Sequence, residues 1–306
     1  MTAATAVPST MLAAVLAVML LFPSPGSAGT HSSPLVSPPA QPVNLFDGSV
    51  PVGTARMHRT PAHGILLKDL TTGRTLYEFN ADRRLSPASL TKIMSALVIL
   101  EYGQLDDLVT VSRNAEAAPK IHLRLRAGQI FYLRDLLKAM LITSANDACL
   151  AAAEHVGGSE ERFVAFMNAR AAALGLSDTH FSNACGFDAP LHYTTAADLA
   201  KLSVIAMQHP VFRSFVREEL EIITAVNTYR SYLLKNTNRL LGKIPGVEGV
   251  KTGFTSQAGR CLIAKVSQDG KELLLVLLHA NRRWNTATTL INYGLQNAHP
   301  PTAMIR

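Results

Sequence analysis

The residues of this chain whose types and spacing could do chemistry form three short polar motifs. In chain order they supply a nucleophile with a base, a second hydroxyl with an amide, and a cation with a hydroxyl that could hold a carboxylate. The motifs are Ser89-Leu90-Thr91-Lys92, Ser144-Ala145-Asn146 and Lys251-Thr252-Gly253. No single motif is specific, so the predicted chemistry, acyl transfer through a serine, depends on all three meeting in one cleft.

Ser89 is expected in the first turn of a helix, because Ser86 can cap a helix and Pro87 is favoured at the first helical position. Its backbone N–H would then be an unpaired donor. Lys92 follows three residues later and shares a face with Ser89. Residues 83–100 contain no acid, so Lys92 has no local ion-pair partner. Burial without a partner lowers the pKa of a lysine, and a neutral amine can take the serine proton.

Ser144 and Asn146 lie between two stretches with a helical apolar pattern, residues 133–142 and 148–155. Ser and Asn often serve as caps at such junctions. Ser112 begins a second Ser-x-Asn pattern, but it lies in a polar stretch with no apolar helix before it. Ser144 is therefore the better candidate to project from a buried junction into a cleft.

Lys251 and Thr252 fall in a predicted strand, residues 250–255, where neighbouring side chains project to opposite faces. Gly253 has no side chain, as expected where another backbone or a ligand approaches closely. Backbone groups beyond Gly253 could pair with an extended peptide. A strand near a turn with a solvated lysine is the alternative for this tripeptide taken alone.

The elements that must position these motifs are strands at both ends of the chain and helices between them. Apolar spacing is mainly helical over residues 87–236, and a last helix is predicted over residues 285–293. The predicted strands cover residues 64–69, 74–79, 249–255, 260–266 and 272–279. This order predicts an α/β (α+β) fold, in which chain-distant strands form one sheet with helices packed against it.

The composition favours a globular protein with a substantial core. Of 306 residues, 48% are hydrophobic and 17% charged. The net charge of +7 could favour an anionic polymer such as the cell wall, and a solvated basic surface explains it equally well. No Lys/Arg run is interleaved with aromatics, so no nucleic-acid partner is expected. Cys149, Cys185 and Cys261 are too few for a disulfide framework, and one pair could bridge without the sequence saying which. No spacing resembles a metal site.

The ends of the chain predict export, to the periplasm or outside the cell. Residues 1–28 are interpreted as a signal peptide, because the apolar run 11–22 is shorter than the ~20 residues that span a bilayer and small residues follow it. The leading region lacks Lys and Arg, which is against this interpretation, and an apolar tail or retained anchor is the alternative. A Pro/Ser-rich linker (29–60), a catalytic domain (61–297) and a tail (298–306) complete the predicted organisation.

Together the motifs resemble those of the D-alanyl-D-alanine carboxypeptidases, the low-molecular-mass penicillin-binding proteins, over residues 62–294. The stretches that carry the resemblance are Ser86-Pro87-Ala88-Ser89-Leu90-Thr91-Lys92-Ile93-Met94, Ser144-Ala145-Asn146-Asp147-Ala148, Gly249-Val250-Lys251-Thr252-Gly253-Phe254-Thr255 and residues 183–198 with Gly186, His192, Thr195 and Ala196. The resemblance implies an antiparallel five-stranded sheet packed against a helical cluster, the penicillin-binding/β-lactamase-like fold, with the active site between them.

The resemblance also implies a role for each motif residue. Ser89 attacks the carbonyl of a D-Ala-D-Ala stem peptide of peptidoglycan, and Lys92 takes its proton. Ser144 and Lys251 help to pass a proton to the leaving D-alanine, and Asn146 holds the substrate amide.

The remaining implied roles concern the oxyanion and the carboxylate. The N–H groups of Ser89 and Phe254, next to Gly253, form the oxyanion hole. Thr252 contacts the terminal carboxylate, and Arg283 matches a second carboxylate contact or is a surface cation before a helix. Water then releases the acyl-enzyme, a β-lactam would stay attached as a covalent inhibitor, and no cofactor is implied.

Three other functions and one other base compete with this interpretation. Short relatives include endopeptidases that cut cross-links, and a non-catalytic wall-binding protein could keep the scaffold. A class A β-lactamase needs a Glu for deacylation, and residues 183–198 contain none. His192 as the base of Ser89 is rejected, because it precedes a capping-box-like helix start and Ser89 already has Lys92.

Longer members of the family add a C-terminal β-domain and an amphipathic membrane anchor. This chain ends 12 residues after Gly294, so no stable membrane anchor is expected after signal cleavage.

Overall fold

The structure, a computed structural model, describes residues 62–119 and 121–298. The predicted signal peptide and linker, residues 1–60, lie outside the described residues, as does the predicted tail apart from Ala298. Of the helices in the described part of the chain, none is long and apolar enough to cross a membrane.

The strands and helices follow the predicted order, with strands at both ends of the domain. The strands are β1 (Gly64–Asp69), β2 (Thr75–Phe79), β3 (Leu108–Thr110), β4 (Ile130–Tyr132), β5 (Leu220–Thr224), β6 (Ser231–Lys235), β7 (Val247–Thr255), β8 (Gly259–Gln268) and β9 (Lys271–Leu278). The helices are α1 (Lys92–Tyr102), α2 (Arg113–Glu116), α3 (Leu133–Ile142), α4 (Asn146–Gly157), α5 (Glu160–Ala173), α6 (Ala196–Gln208), α7 (Pro210–Arg217) and α8 (Arg283–Asn297).

The main sheet has five antiparallel strands in the order β2-β1-β9-β8-β7. The prediction of one antiparallel sheet built from chain-distant strands is therefore confirmed. The apolar sequence of the central strand β9 follows from its position, because both of its faces are buried. Leu274, Val276 and Leu278 pack on the helical cluster, whereas Leu273 and its alternating neighbours pack under α8 on the opposite face.

Two short hairpins were not predicted. β5 and β6 pair antiparallel within a region whose pattern was interpreted as helical, so that prediction was wrong beyond α7. The β-branched run of β5 suits a strand, and Ile223 is buried while Ile222 is exposed, the alternation of a half-buried hairpin. β3 and β4 pair antiparallel and form a second two-stranded ribbon.

Candidate active site

The candidate nucleophile lies in a one-turn 3-10 helix, Ala88–Thr91, which leads directly into α1. The prediction that Ser86 caps this helix was wrong. Its hydroxyl is instead 3.4 Å from a carboxylate oxygen of Asp188, and no side chain caps the turn. Two glycines fit against this turn. A Cβ on Gly186 would lie 2.0 Å from the Ala88 carbonyl oxygen, and one on Gly253 would lie 3.2 Å from the Ser89 nitrogen.

Lys92 is fully buried, and its amine has three polar neighbours. Nζ lies 3.2 Å from Ser89 Oγ, 2.8 Å from Asn146 Oδ1 and 2.6 Å from the carbonyl oxygen of Cys185. Burial lowers the pKa of Lys92 well below its usual value, and the nearby charge of Lys251 lowers it further. Asp147 opposes this shift without reversing it. The geometry therefore places a buried lysine amine beside Ser89 Oγ, and the direction of its pKa shift favours the neutral form.

The second motif lies at the junction of α3 and α4, as predicted. Ser144 has a φ of +67°, and its buried Oγ has no hydrogen-bond partner within residues 62–119 and 121–298. Asn146 begins α4, and its Nδ2 donates to the carbonyl of Pro119 at 3.0 Å. The competing Ser112 is a helix cap, since its Oγ accepts from the N–H of Ala115.

Lys251 lies on β7, one of the two edge strands of the main sheet, and is buried. It pairs with Ile263, whose side chain packs on the helical cluster, so Lys251 projects toward the helices. Burial lowers its pKa to about 7, and the charge of Arg283 contributes. Thr252 pairs with a residue of the opposite core, and its hydroxyl lies 2.6 Å from the hydroxyl of Thr237. The opposite-face prediction for this pair is confirmed by the register.

The end of β7 brings together the remaining candidate residues. Gly253 lies against the nucleophile turn, and Phe254 next to it is 54% exposed. Arg283 Nη1 donates to the carbonyls of Gly253 and Cys261, each at 2.9 Å. Its pKa falls to about 10, mainly through burial, and its guanidinium stacks over Trp284. A carboxylate could therefore meet only the remaining nitrogens of Arg283.

A loop between α5 and α6 supplies contacts that the motif analysis missed. The loop is shaped by Asn183, whose Oδ1 accepts the three successive N–H groups of residues 185–187. Cys185 contributes the carbonyl that meets Lys92, and its sulfur is bonded to Cys149 of α4 with a Cα–Cα distance of 6.0 Å. Cys261 is a free, buried thiol. Residues 183–198 were identified only through the family resemblance, because a turn built on a single acceptor leaves no periodic signal in the sequence. Neither their contacts to Lys92 nor the choice of cysteine pair could be predicted.

The same loop reaches both sides of the cleft through Asp188. Besides Ser86, it accepts a 2.6 Å hydrogen bond from the hydroxyl of Thr255 at the end of β7 and a 3.3 Å bond from the N–H of Gln257. The Asp188 carboxylate thus connects Ser86, before the nucleophile turn, to the C-terminal end of β7.

His192 is placed as a structural residue. Its Nδ1 accepts the N–H of Ser182 at 2.9 Å, so its Nε2 carries the proton that faces Thr91 Oγ1 at 2.8 Å. Burial is the main cause of a pKa of about 4, and the imidazole is therefore neutral at physiological pH. Within the described ranges no group of three or more His, Cys, Asp or Glu side chains could hold a metal.

The nucleophile turn brings the Ser89 hydroxyl next to the buried amine of Lys92 and next to the backbone of Gly253 on β7, and Asn146 links Lys92 to the second motif. A hydroxyl beside a buried amine is a pairing that can form and break an ester on a serine, because the amine lies within hydrogen-bond reach of the serine proton.

Comparisons with known proteins agree with this geometry. A family model described as D-alanyl-D-alanine carboxypeptidase (peptidase S11) matches residues 52–282. The carboxypeptidase DacF of Bacillus subtilis is 36% identical over 225 residues, 72% of this chain and 58% of DacF. A D-alanyl-D-alanine endopeptidase of Pseudomonas aeruginosa is 32% identical over 219 residues, 70% of each chain. The crystal structure of the Streptomyces K15 DD-transpeptidase matches with a TM-score of 0.72 and 32% identity, covering 78% of this chain and 98% of that one.

The extent of these matches decides what they establish. The chain spans less than two thirds of the length of DacF, so the match alone does not establish that this chain has the activity of DacF. The family model nevertheless covers the nucleophile turn, the α3–α4 junction and β7 in the observed order. This chain belongs to the D-alanyl-D-alanine carboxypeptidase family.

Proposed function

We propose that this protein is a serine DD-peptidase that removes the terminal D-alanine from peptidoglycan stem peptides through an acyl-enzyme on Ser89. The observation that carries the proposal is the hydrogen-bond balance at Lys92. A neutral amine has two N–H groups and one lone pair. The two carbonyl acceptors, Asn146 Oδ1 and Cys185 O, take both N–H groups, so the lone pair is left facing Ser89 Oγ.

Acylation then begins with proton transfer from Ser89 to Lys92. The serine oxygen attacks the carbonyl carbon of the penultimate D-alanine, and the carbonyl oxygen becomes an oxyanion. The N–H groups of Ser89 and Phe254 bind that oxyanion, on a turn and a strand that the missing side chain of Gly253 allows to approach. Collapse of the intermediate breaks the peptide bond and requires a proton for the leaving amine.

The proton that Lys92 accepted from Ser89 passes through Ser144, supported by Lys251, to the amine of the leaving D-alanine. The unpartnered Oγ of Ser144 is available for this relay. Thr252 and Arg283 bind the terminal carboxylate, the latter through nitrogens that do not hold backbone carbonyls. Asn146 meets the substrate amide by exchanging its bond to the Pro119 carbonyl for one to the substrate.

Deacylation by water completes the reaction. A β-lactam enters the same sequence as far as the ester, because opening its ring leaves the former leaving group attached to the acyl chain. The protein is therefore expected to form a stable covalent adduct on Ser89.

An endopeptidase that cuts D-amino-acid cross-links is the second candidate. It is favoured by the Pseudomonas aeruginosa relative, whose name states that activity. The chemistry at Ser89 is the same in both cases, and only the accepted chain beyond the scissile bond differs. Purified muropeptides separate them: free D-alanine from a pentapeptide with intact cross-linked dimers supports the carboxypeptidase, and cleaved dimers support the endopeptidase.

We also propose that residues 61–297 act outside the cytoplasm, after removal of residues 1–28 and with residues 29–60 as a linker. The Cys149–Cys185 disulfide supports this location, because such bonds persist in oxidising compartments. Mass spectrometry of the protein from its host tests the cleavage, and a retained N-terminal peptide contradicts it.

Labelling with a fluorescent penicillin tests the central proposal. Wild-type protein is expected to label and Ser89→Ala is not. Ser112→Ala is the matched control, since it changes the other Ser-x-Asn serine, a helix cap, and should label like the wild type. An unlabelled wild type, or equal labelling of Ser89→Ala, overturns the proposal.

A further inference from the structure

The disulfide between Cys149 and Cys185 joins the two structural elements that supply the carbonyl acceptors of Lys92. Asn146 begins α4, and Cys149 follows it by one helical turn. Cys185 provides the other acceptor through its own backbone carbonyl. One covalent link therefore fixes the separation between Asn146 Oδ1 and the Cys185 carbonyl.

We propose that this disulfide is a positioning device for Lys92, which holds both acceptors in place so that the amine keeps its lone pair directed at Ser89. The inference rests on the proposed function, since acylation of Ser89 is what it modulates. Cys149 and Cys185 touch no substrate and act through Lys92, so they are positioning residues.

The other contacts of the loop hold it to different elements. The N–H of Ala184 donates to Glu160 at the start of α5, and the Ala184 carbonyl accepts from Ser95 of α1. These bonds attach residue 184 to α5 and α1, whereas the disulfide attaches residue 185 to α4. The Gly186 N–H still donates to Asn183 Oδ1 at 2.7 Å, but that bond lies within the loop and does not join it to α4. Without the disulfide, the Cys185 carbonyl can therefore shift relative to Asn146 and Lys92.

Displacement of that carbonyl has a direct chemical consequence. Lys92 would lose the acceptor of one N–H group, and its amine would be free to turn its lone pair away from Ser89. Water entering the space would also hydrate the amine and favour its protonated form, which cannot accept the serine proton. The charged and titratable groups facing Lys92 are Lys251 of β7, Asp147 of α4 and His192 of the loop before α6.

The disulfide also makes the site sensitive to redox conditions. A dithiol reductant would break the S–S bond, leave two thiols on the protein and itself become a cyclic disulfide. Both sulfurs are buried, so reduction requires local opening, and substitution is the cleaner perturbation.

The double variant Cys149→Ala/Cys185→Ala tests the inference in the full chain. Its matched control is Leu150→Ala, which shortens a buried side chain of α4 directly after Cys149 in the chain and leaves the disulfide intact. The measurements are the second-order rate constant of acylation by a fluorescent penicillin across pH and the thermal midpoint. The double variant should acylate on the order of 10- to 100-fold more slowly at pH 7, since small misplacements of reacting groups cost that much. The acid limb of its profile should move to higher pH.

The outcomes separate positioning from stabilisation. Leu150→Ala should lower the thermal midpoint and keep the wild-type pH profile. If the double variant does the same, the disulfide only stabilises the fold and the inference is wrong. If the double variant does not fold, the same rates are taken on wild-type protein purified in a dithiol and then reoxidised. Recovery of the rate on reoxidation supports the inference, and equal rates overturn it. Failure of untreated wild type to label contradicts the proposed function instead.

Discussion

Replacing Gly186 by Ala should disable the nucleophile turn without changing any side chain that takes part in the reaction. Gly186 has a φ of +87°, and its Cα faces the backbone between Ala88 and Ser89. An added Cβ would lie 2.0 Å from the Ala88 carbonyl oxygen, 2.4 Å from its carbon and 2.9 Å from the Ser89 nitrogen. These neighbours are backbone atoms, so no side chain can rotate to make room.

The size of the effect follows from two separate terms. Restoring ordinary contact at 3.4 Å requires a relative shift of 3.4 − 2.0, or 1.4 Å, between the loop and the turn. A misplacement of about 1 Å costs on the order of 100-fold in rate, so acylation of Ser89 should fall at least that far. The left-handed backbone adds about 1–2 kcal/mol for a residue with a Cβ. For a domain of this size that corresponds to a fall of roughly 2–8 °C in the thermal midpoint.

Gly73→Ala is the matched control for the backbone term. Gly73 has a φ of +74° in the β1–β2 turn, and a Cβ there would meet no atom within 4 Å. This variant should show the loss in thermal midpoint and keep the wild-type acylation rate. The assay is the rate of covalent labelling by a fluorescent penicillin, corrected for folded protein, together with a thermal melt.

The result that refutes the reasoning is specific. If Gly186→Ala acylates at more than about a third of the wild-type rate, with a thermal midpoint like that of Gly73→Ala, the turn tolerates a Cβ and the nucleophile is not held by this contact.

Three further outcomes are expected. Ser144→Ala should lower kcat on the order of 100-fold or more, because the proton relay is lost. Its thermal midpoint should stay within about 1 °C, because the buried hydroxyl has no hydrogen-bond partner within the described ranges to lose. A large drop in both kcat and the thermal midpoint would contradict the relay. Lys251→Met should flatten the pH dependence of the free energy of unfolding above pH 7. The folded pKa is about 7 and the unfolded one is higher, so the unfolded chain binds more protons in that window and wild-type stability rises with pH. An unchanged slope in denaturant titrations would argue against a neutral Lys251. Thr237→Val should raise KM for a peptide with a free carboxylate about 3- to 10-fold and change kcat little. The reason is that Thr252 loses a hydrogen bond worth ~1 kcal/mol. An equal loss in kcat would place Thr237 in the chemical step instead.

The parts of the fold that the sequence predicts are those with a local periodic signal. The strands β8 and β9 carry long apolar runs because both faces of the central sheet are covered, and α3 shows a regular apolar stripe. The hairpin β5–β6 carries a weaker signal, since its strands are only five residues long and each has one exposed face. A helical interpretation of that segment fails where β-branched residues outweigh the spacing.

The site was predictable only as far as its motifs. The motif residues could be predicted because their types and their order along the chain suffice to suggest acyl transfer. They are Ser89, Lys92, Ser144 and Lys251. The carbonyl of Cys185 could not, since every residue has a carbonyl and only tertiary structure aims one at Lys92. Ser86 misled for the same reason, because its long-range partner Asp188 outcompetes the local capping bond that the sequence suggests.

The carboxylate of Asp188 has a consequence for how the cleft selects its ligands. It binds residues on both walls, so the loss of conformational entropy needed to set the width of the opening occurs during folding and not on binding. A slim, extended peptide gains the full benefit of this preorganisation. A ligand that needs a wider opening must first break hydrogen bonds to the Asp188 carboxylate. We therefore expect the cleft to discriminate between peptide ligands by their width more sharply than by their sequence.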